Sequence, residues 1–329
     1  MAGTGQPPLT IWAVSDGRAG IEAQALGLAE AVARLRLADV SVRHVRWKAG
    51  IGRLPWRLNL APRLALAADT PIAPPWPDIW IACGRATLAL STRMRRWSGG
   101  RTFVVQLQDP RTPLDAFDLV IPPLHDELEG PNVFPIVGAP NRLTPERLAA
   151  DLARFNDRLD ALPAPRIALI VGGRSKAHDL PAARAQEIGR QVASLVRESG
   201  GSVLASFTRR TPPEARETLT QELAAIPGWV WDDQGPNPYF AFLAKADAIL
   251  VTEDSVNLAT DAAATGTPVM TLPLPGGSAK FSRFHRYLQE SGISRPFIGR
   301  LSSRAHPPLR ETERAAAELL RRYDTTNSR

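Results

Sequence analysis

Cysteine is nearly absent from this chain of 329 residues, and tyrosine and methionine are scarce: one, three and three respectively. A lone cysteine, Cys83, excludes an intrachain disulfide and a cysteine metal cluster. Placed at the end of an apolar strand, it reads as core rather than nucleophile. No apolar run reaches the roughly 18 residues needed to span a bilayer. The opening MAGTGQPPLTIWAV lacks a basic segment followed by a long apolar core, so no secretory signal is read there and the chain is expected in the cytoplasm. Zinc-finger spacing, an RNP-like string, a Walker A loop, a GxGxxG fingerprint and a DxD motif are missing too. With its arginines scattered, the chain is not expected to bind nucleic acid. His285 has no other ligand-type residue at a metal spacing beside it, so no metal is expected.

What is present is a basic, two-domain composition. Lys and Arg number 40 against 33 for Asp and Glu, giving a net charge of +7 and a pI near 10.2. Such a surface attracts anionic headgroups or phosphorylated ligands, or is simply a solvated basic face. The length suits two domains.

Alternating elements fill both halves. In the first, LTIWAV (9–14), VSVRHVRW (40–47), DIWIACG (78–84), TFVVQLQ (102–108), FDLVIPP (117–123) and NVFPIVG (132–138) read as strands. Segment 21–37 reads as a helix with Ile21, Leu28, Val32 and Leu35 on one side. A helix over 144–162, opened by Thr144 and Pro145, leads to PAP (163–165), the expected linker. The second half restarts at RIALIVGG (166–173). Strands at 202–208, 229–233, 247–252 and 269–274 alternate there with helices at 181–199, 213–226 and 237–246 and an alanine-rich one after 255. Helices are also expected around 281–292 and 310–324. Strands alternating with helices predict parallel sheets. The expected architecture is α/β, with two Rossmann-like domains facing across a cleft: 1–162 on the acceptor side and 166–329 on the donor side. The last helix is a candidate to pack back on the first domain. Ligands of such sheets bind outside the carboxyl ends of the strands.

Six stretches carry chemistry. VGGRSKAHDL (171–180) places Gly172, Gly173, Arg174 and Ser175 after a strand, where a diphosphate could approach the backbone and a helix N-terminus; a tight turn would explain the glycines equally. SFTRRTPPE (206–214) sets Thr208, Arg209 and Arg210 at a strand end, suited to clamping phosphate oxygens or to a basic loop. VTEDSVNLATDAAATGTPV (251–269) clusters Glu253, Asp254, Ser255 and Asn257. Asp254 or Ser255 can cap the alanine helix, and the cluster can accept hydrogen bonds from ribose or sugar hydroxyls. In AVSDGRAGIEAQ (13–24), Asp16 is a candidate general base or an Asp-Gly turn residue, with Arg18 nearby. VVQLQDPR (104–111) brings Gln106, Gln108 and Asp109 to another strand end. GGSAKFSRFHRYL (276–288) interleaves Lys280, Arg283, His285 and Arg286 with aromatics. That helix could close on the ligand, touch an anionic membrane, or be ordinary and amphipathic.

SDGRAG with Gln24, the Gln108-Asp109-Pro110 segment, GG-x-S at 172–175, TRRTP at 208–212, VTEDSVN at 251–257 and KFSRFH at 280–285 together resemble the "elongated mitochondria" family of mitochondrial-fission proteins, which has bacterial members. The resemblance implies a glycosyltransferase-B-like fold whose C-terminal domain holds a nucleotide-sugar donor. The expected function is therefore a metal-independent glycosyltransferase using a nucleotide-diphospho-sugar. That donor is a co-substrate, and no tightly bound cofactor is expected. Gly172, Gly173, Arg174, Ser175, Thr208, Arg209, Arg210, Glu253, Asp254, Ser255, Asn257 and Lys280 are the donor-site candidates. Arg18, Gly20, Gln24, Gln108, Arg283 and His285 are further substrate-binding candidates. Asp16 or Asp109 would be the base. A lipid-linked acceptor at the inner membrane would suit the basic surface. The alternatives are an epimerase or hydrolase on the same fold, and a membrane-peripheral adaptor with a vestigial pocket.

Overall fold

The computed structural model describes residues 7–51, 55–70 and 72–328. The chain forms two units, Met1–Arg142 with Arg310–Arg329, and Leu143–Leu309.

The first unit contains β1 (Leu9–Ser15), α1 (Ala19–Leu35), β2 (Ala38–His44), β3 (Ile79–Cys83), α2 (Leu88–Trp97), β4 (Phe103–Leu107) and β5 (Leu119–Ile121). The strands lie in the order β2-β1-β3-β4-β5, and every pairing is parallel. β3 and β4 are buried along their whole length, which is why IWIAC and FVVQL carry no polar alternation. On one face Ile11, Ile81 and Val105 pack with Leu28 and Val32 of α1 and with Ala315, Ala316 and Leu319 of the helix Glu311–Asn327. On the other, Trp12, Trp80 and Val104 pack with Leu90 and Met94 of α2.

The second unit contains α3 (Pro145–Ala153), α4 (Asn156–Asp160), β6 (Arg166–Val171), α5 (Ala182–Ser199), β7 (Ser202–Phe207), α6 (Pro213–Leu223), β8 (Gly228–Val230), α7 (Tyr239–Lys245), β9 (Ala248–Thr252), α8 (Val256–Thr265), β10 (Val269–Leu272), α9 (Ala279–Glu290) and β11 (Ser294–Pro296). Its sheet runs β11-β10-β9-β6-β7-β8, again parallel throughout. Ile188, Val192 and Leu219 cover one face of it.

Four details differ from expectation. The units part after Arg142, not at 163–165. α3 and α4 belong to the second unit because Leu159, Leu152 and Phe155 pack against Leu204, Trp229 and Phe242. The expected helix 144–162 is therefore two: the chain turns at Phe155, whose ring meets Trp229 edge to face at 5.5 Å. Thr144 does cap α3, accepting from the Arg147 amide. Segment 132–138 follows β5 only through isolated bridges at Val133 and Ile136, since Pro131 and Pro135 carry no amide for a ladder. β11 was not foreseen, being three residues long and ending in proline.

Because all strands in a sheet are parallel, the loops that leave their carboxyl ends share one edge. Loops after β1, β3 and β4 share it in the first unit, and loops after β6, β7, β9 and β10 in the second.

Candidate functional site

In the second unit these loops are fastened together by a buried carboxylate. Asp254 follows β9 and is 2% exposed. Its Oδ2 accepts from the Gly173 amide at 2.9 Å and lies 2.7 Å from Arg210 Nη2. Its Oδ1 accepts from the Thr252 hydroxyl at 2.7 Å, and Thr252 Oγ1 accepts from the Gly172 amide at 2.8 Å. A β-carbon at Gly172 would fall 2.3 Å from both Asp254 oxygens. At Gly173, whose φ is +142°, a β-carbon would fall 2.4 Å from the Arg210 carbonyl oxygen. Thr208 and Thr211 donate to the Gly172 carbonyl at 3.1 and 2.5 Å, and the Arg174 amide donates to the Arg210 carbonyl at 2.8 Å. The Ser175 amide donates to the His178 carbonyl, while Ser175 Oγ accepts from the amides of Ala177 and His178.

This geometry corrects two expectations. The amides of Gly172, Gly173, Arg174 and Ser175 all donate within the protein, so the loop is not a free amide cradle for a diphosphate. Its glycines are required by the approach of Asp254 and Arg210. Nor is Asp254 a reader of sugar hydroxyls, since its oxygens are buried under three protein donors. Ser255 is the N-cap of α8, accepting from the Leu258 amide. Arg174 points to Asp179, Nε to Oδ1 2.9 Å.

Arg209 and Lys280 remain exposed at this edge, and Glu253 and Asn257 are half-buried. Phe284 and Leu288 of α9 are buried, so that helix turns its apolar side to the core. Arg283 sits half-buried on it.

Two imidazoles complete the edge. His285 Nε2 lies 2.9 Å from the Glu253 carbonyl oxygen and donates to it, which leaves Nδ1 as the ring's other polar atom. That Nδ1 is buried with no partner. His178, like His285 6% exposed, also has a buried, unpartnered Nδ1, and its ring meets Phe281 edge-on at 4.8 Å. Burial lowers the His178 pKa, against the opposing pull of Asp254 and Glu253, so its ring is neutral at pH 7. Sequence reasoning passed over His178 although it lies inside the quoted VGGRSKAHDL. The missing link is a long-range pairing: the Gly277 amide donates to the Ala177 carbonyl at 2.5 Å and the Asp179 amide to the Pro275 carbonyl at 3.0 Å. The loop after β6 thus runs beside the loop after β10, which brings His178 to α9.

At the first unit's edge, Asp16 accepts from the Arg18 amide and from Arg18 Nε, at 3.1 and 2.8 Å, closing the Asp-Gly-Arg turn on itself. Gly20 lies exposed in the first turn of α1. Gln24 Oε1 accepts from Gln108 Nε2 at 3.0 Å and from the Cys83 thiol at 3.4 Å. Burial raises the Cys83 pKa, so the thiol stays protonated and is no nucleophile. Asp109 accepts from the Arg111 amide at 2.8 Å. Asp16 and Asp109 are both half-buried. Gln106 Oε1 is buried without a partner. Among the described residues no three His, Cys, Asp or Glu side chains come together as a metal site, and no helix is long and apolar enough to cross a membrane.

The family profile described as "Mitochondrial fission ELM1" matches residues 19–323. The chain is similar to the mitochondrial fission protein ELM1 of Arabidopsis thaliana, with 31% identity over 272 residues that cover 74% of this chain. It spans only 64% of that relative's length. It is 26% identical over 281 residues to an uncharacterized protein of Rickettsia prowazekii, covering 73% of this chain and 78% of the other. Among solved structures it is similar to the UDP-GlcNAc 2-epimerase of Neisseria meningitidis bound to UDP-GlcNAc, with a TM-score of 0.52, 12% identity, and 98% and 100% of the two chains covered. MurG of Acinetobacter baumannii gives a TM-score of 0.51 at 12% identity, covering 95% and 100%. Rice Os79 in complex with UDP gives 0.52 at 12%, covering 97% and 92%. The fold is that of the glycosyltransferase-B class.

Proposed function

The chain belongs to the mitochondrial fission ELM1 family, and we propose that it is an enzyme that takes a nucleotide-diphospho-sugar at the carboxyl edge of its six-stranded sheet and transfers the sugar to an acceptor. The observation that carries this reading is the pair of buried, unpartnered Nδ1 atoms of His178 and His285, set among loops held rigid by the Asp254–Arg210 pair. A buried polar atom without a partner is costly in a protein that has no use for it. The hydroxyl groups of a nucleotide-sugar, which both donate and accept, would supply such partners.

The diphosphate falls to Arg209 and Lys280. Arg209 stands exposed next to Arg210, whose own charge is committed to Asp254. Lys280 lies in the first turn of α9, after Gly276, Gly277 and the N-cap Ser278. Cations and helix amides here would stabilise the charge that develops on the leaving diphosphate. Glu253 is left to read a sugar hydroxyl. On the first unit, Asp16 or Asp109 would accept the acceptor's proton. An epimerase or hydrolase would use the same donor site, and UDP-GlcNAc 2-epimerases stand among the similar folds. The two readings separate by product, since only a transferase consumes an acceptor.

Arg209→Ala is expected to weaken UDP-sugar binding about ten- to a hundredfold, the worth of one charge-assisted hydrogen bond, and to leave the melting temperature unchanged because the side chain is exposed. Titration calorimetry of both proteins with UDP-N-acetylglucosamine reads the difference. Equal affinities would remove Arg209 from the donor site.

A further inference from the structure

The first unit carries an apolar surface that its own core does not use. Leu58, Leu60 and Leu64 are 64%, 83% and 77% exposed, within seven residues of one loop. Leu66, two positions on, is buried, so the loop has a core-facing base and an outward tip. The base is pinned. Trp47 and Leu66 form an antiparallel bridge, the Lys48 amide donates to the Ala65 carbonyl, and Arg93 Nη2 of α2 donates to the Asn59 carbonyl at 2.9 Å. Leucines held outward on a pinned loop are a covered surface in waiting rather than a frayed segment.

Charge says what covers it. Residues 40–68 contain Arg43, Arg46, Lys48, Arg53, Arg57 and Arg63 and no Asp or Glu. Arg57 lies over the ring of Trp56, 5.5 Å from its centroid, and Arg63 over both Trp76 and Trp97, at 5.3 and 5.7 Å. Arg96 of α2 is exposed. Asp69 pairs with Arg46, and Arg57 and Arg63 are exposed. Exposed leucines beside arginines stacked on tryptophans match the make-up of a bilayer interface, where apolar tips enter the acyl boundary and indoles and guanidiniums sit at the headgroups.

We infer that the loop 55–64 docks this protein on an anionic lipid bilayer, with Leu58, Leu60 and Leu64 entering the interface and Arg57 and Arg63 contacting headgroup phosphates. The basic-aromatic helix α9, for which a membrane contact was one of three readings, buries Phe284 and Leu288 and does not form part of this surface. The docking surface lies wholly in the first unit and stands independently of the nucleotide-sugar reading.

The test is co-sedimentation of the full chain with phosphatidylcholine vesicles, plain or containing about one-third phosphatidylglycerol. Binding is expected only to the anionic vesicles, and to fall as salt shortens the Debye length. The triple variant L58S/L60S/L64S and the double variant R57S/R63S are each expected to lose roughly tenfold or more in partitioning. The melting temperature of the triple variant should match the native protein, because these leucines are exposed, and that of the double variant should fall by only a few degrees as the arginine–tryptophan stacking is lost. Failure of the native chain to bind, equal binding to neutral vesicles, or undiminished binding by the triple variant would each overturn the inference. Nucleotide affinity should be the same in all three proteins.

Discussion

Asp254→Ala is expected to destabilise the second unit by about 3–5 kcal/mol, the usual loss when one partner of a buried ion pair is removed. Asp254 is an acceptor shared by the loops after β6, β7 and β9. Without it the Gly173 amide, the Thr252 hydroxyl and the Arg210 guanidinium lose their acceptor together. For a unit of this size such a loss lowers the melting temperature by roughly 10 °C. Asp254→Asn keeps the shape and one acceptor, and is expected to cost less. Urea unfolding of the three proteins measures this. A loss below about 1 kcal/mol for the alanine variant would mean that the loops are held by something else.

Stability should also fall as pH rises from about 4 to about 7, through Asp261. The Tyr239 hydroxyl donates to Asp261 Oδ2 at 2.9 Å between α7 and α8. Burial raises the Asp261 carboxyl to about 7, and the Tyr239 hydrogen bond offsets this only in part. Between an unfolded pKa near 3.8 and that value, the native state holds a proton the unfolded chain has released. Stability then declines by up to about 1.4 kcal/mol per pH unit through this window. Allowing for the partial solvent access of the side chain, the total is about 2–4 kcal/mol by pH 8. Asp261→Asn keeps an acceptor for Tyr239 and removes the titration. The difference in unfolding free energy between the two proteins should therefore be small at pH 4 and favour the asparagine variant at pH 8. A constant difference across that range would contradict the assignment.

The parallel sheets were legible because buried parallel strands have a plain signature, and WAVS, IWIAC, FVVQL, ALIV and AILV all show it. The Thr144-Pro145 cap and the Ser255 cap were legible for the same reason: each is a local rule read from a few residues. What escaped was long-range. The break at Phe155 is imposed by Trp229, some seventy positions away, and so is the assignment of α3 and α4 to the second unit. The glycines of VGGRS look like a phosphate loop in sequence. Only the arrival of Asp254 from β9 shows that the missing side chains make room for a carboxylate. The place of His178 beside α9 was invisible because it comes from the strand-like pairing of 177–179 with 275–277, which no spacing rule predicts. The family motifs gather at the carboxyl edges of the two sheets, but they do not tell which of their residues brace the loops.

The most direct test of the nucleotide-sugar site is the thermal stability of the native protein with UDP, GDP, CMP, ADP and dTDP and their common sugar conjugates. A ligand that binds only the folded state must raise the melting temperature. One nucleotide family is expected to do so selectively, with the sugar conjugate exceeding the bare diphosphate and the effect lost in His178→Ala. No shift with any of them, at millimolar ligand and with the protein folded, would contradict the site and leave a protein that works by docking alone.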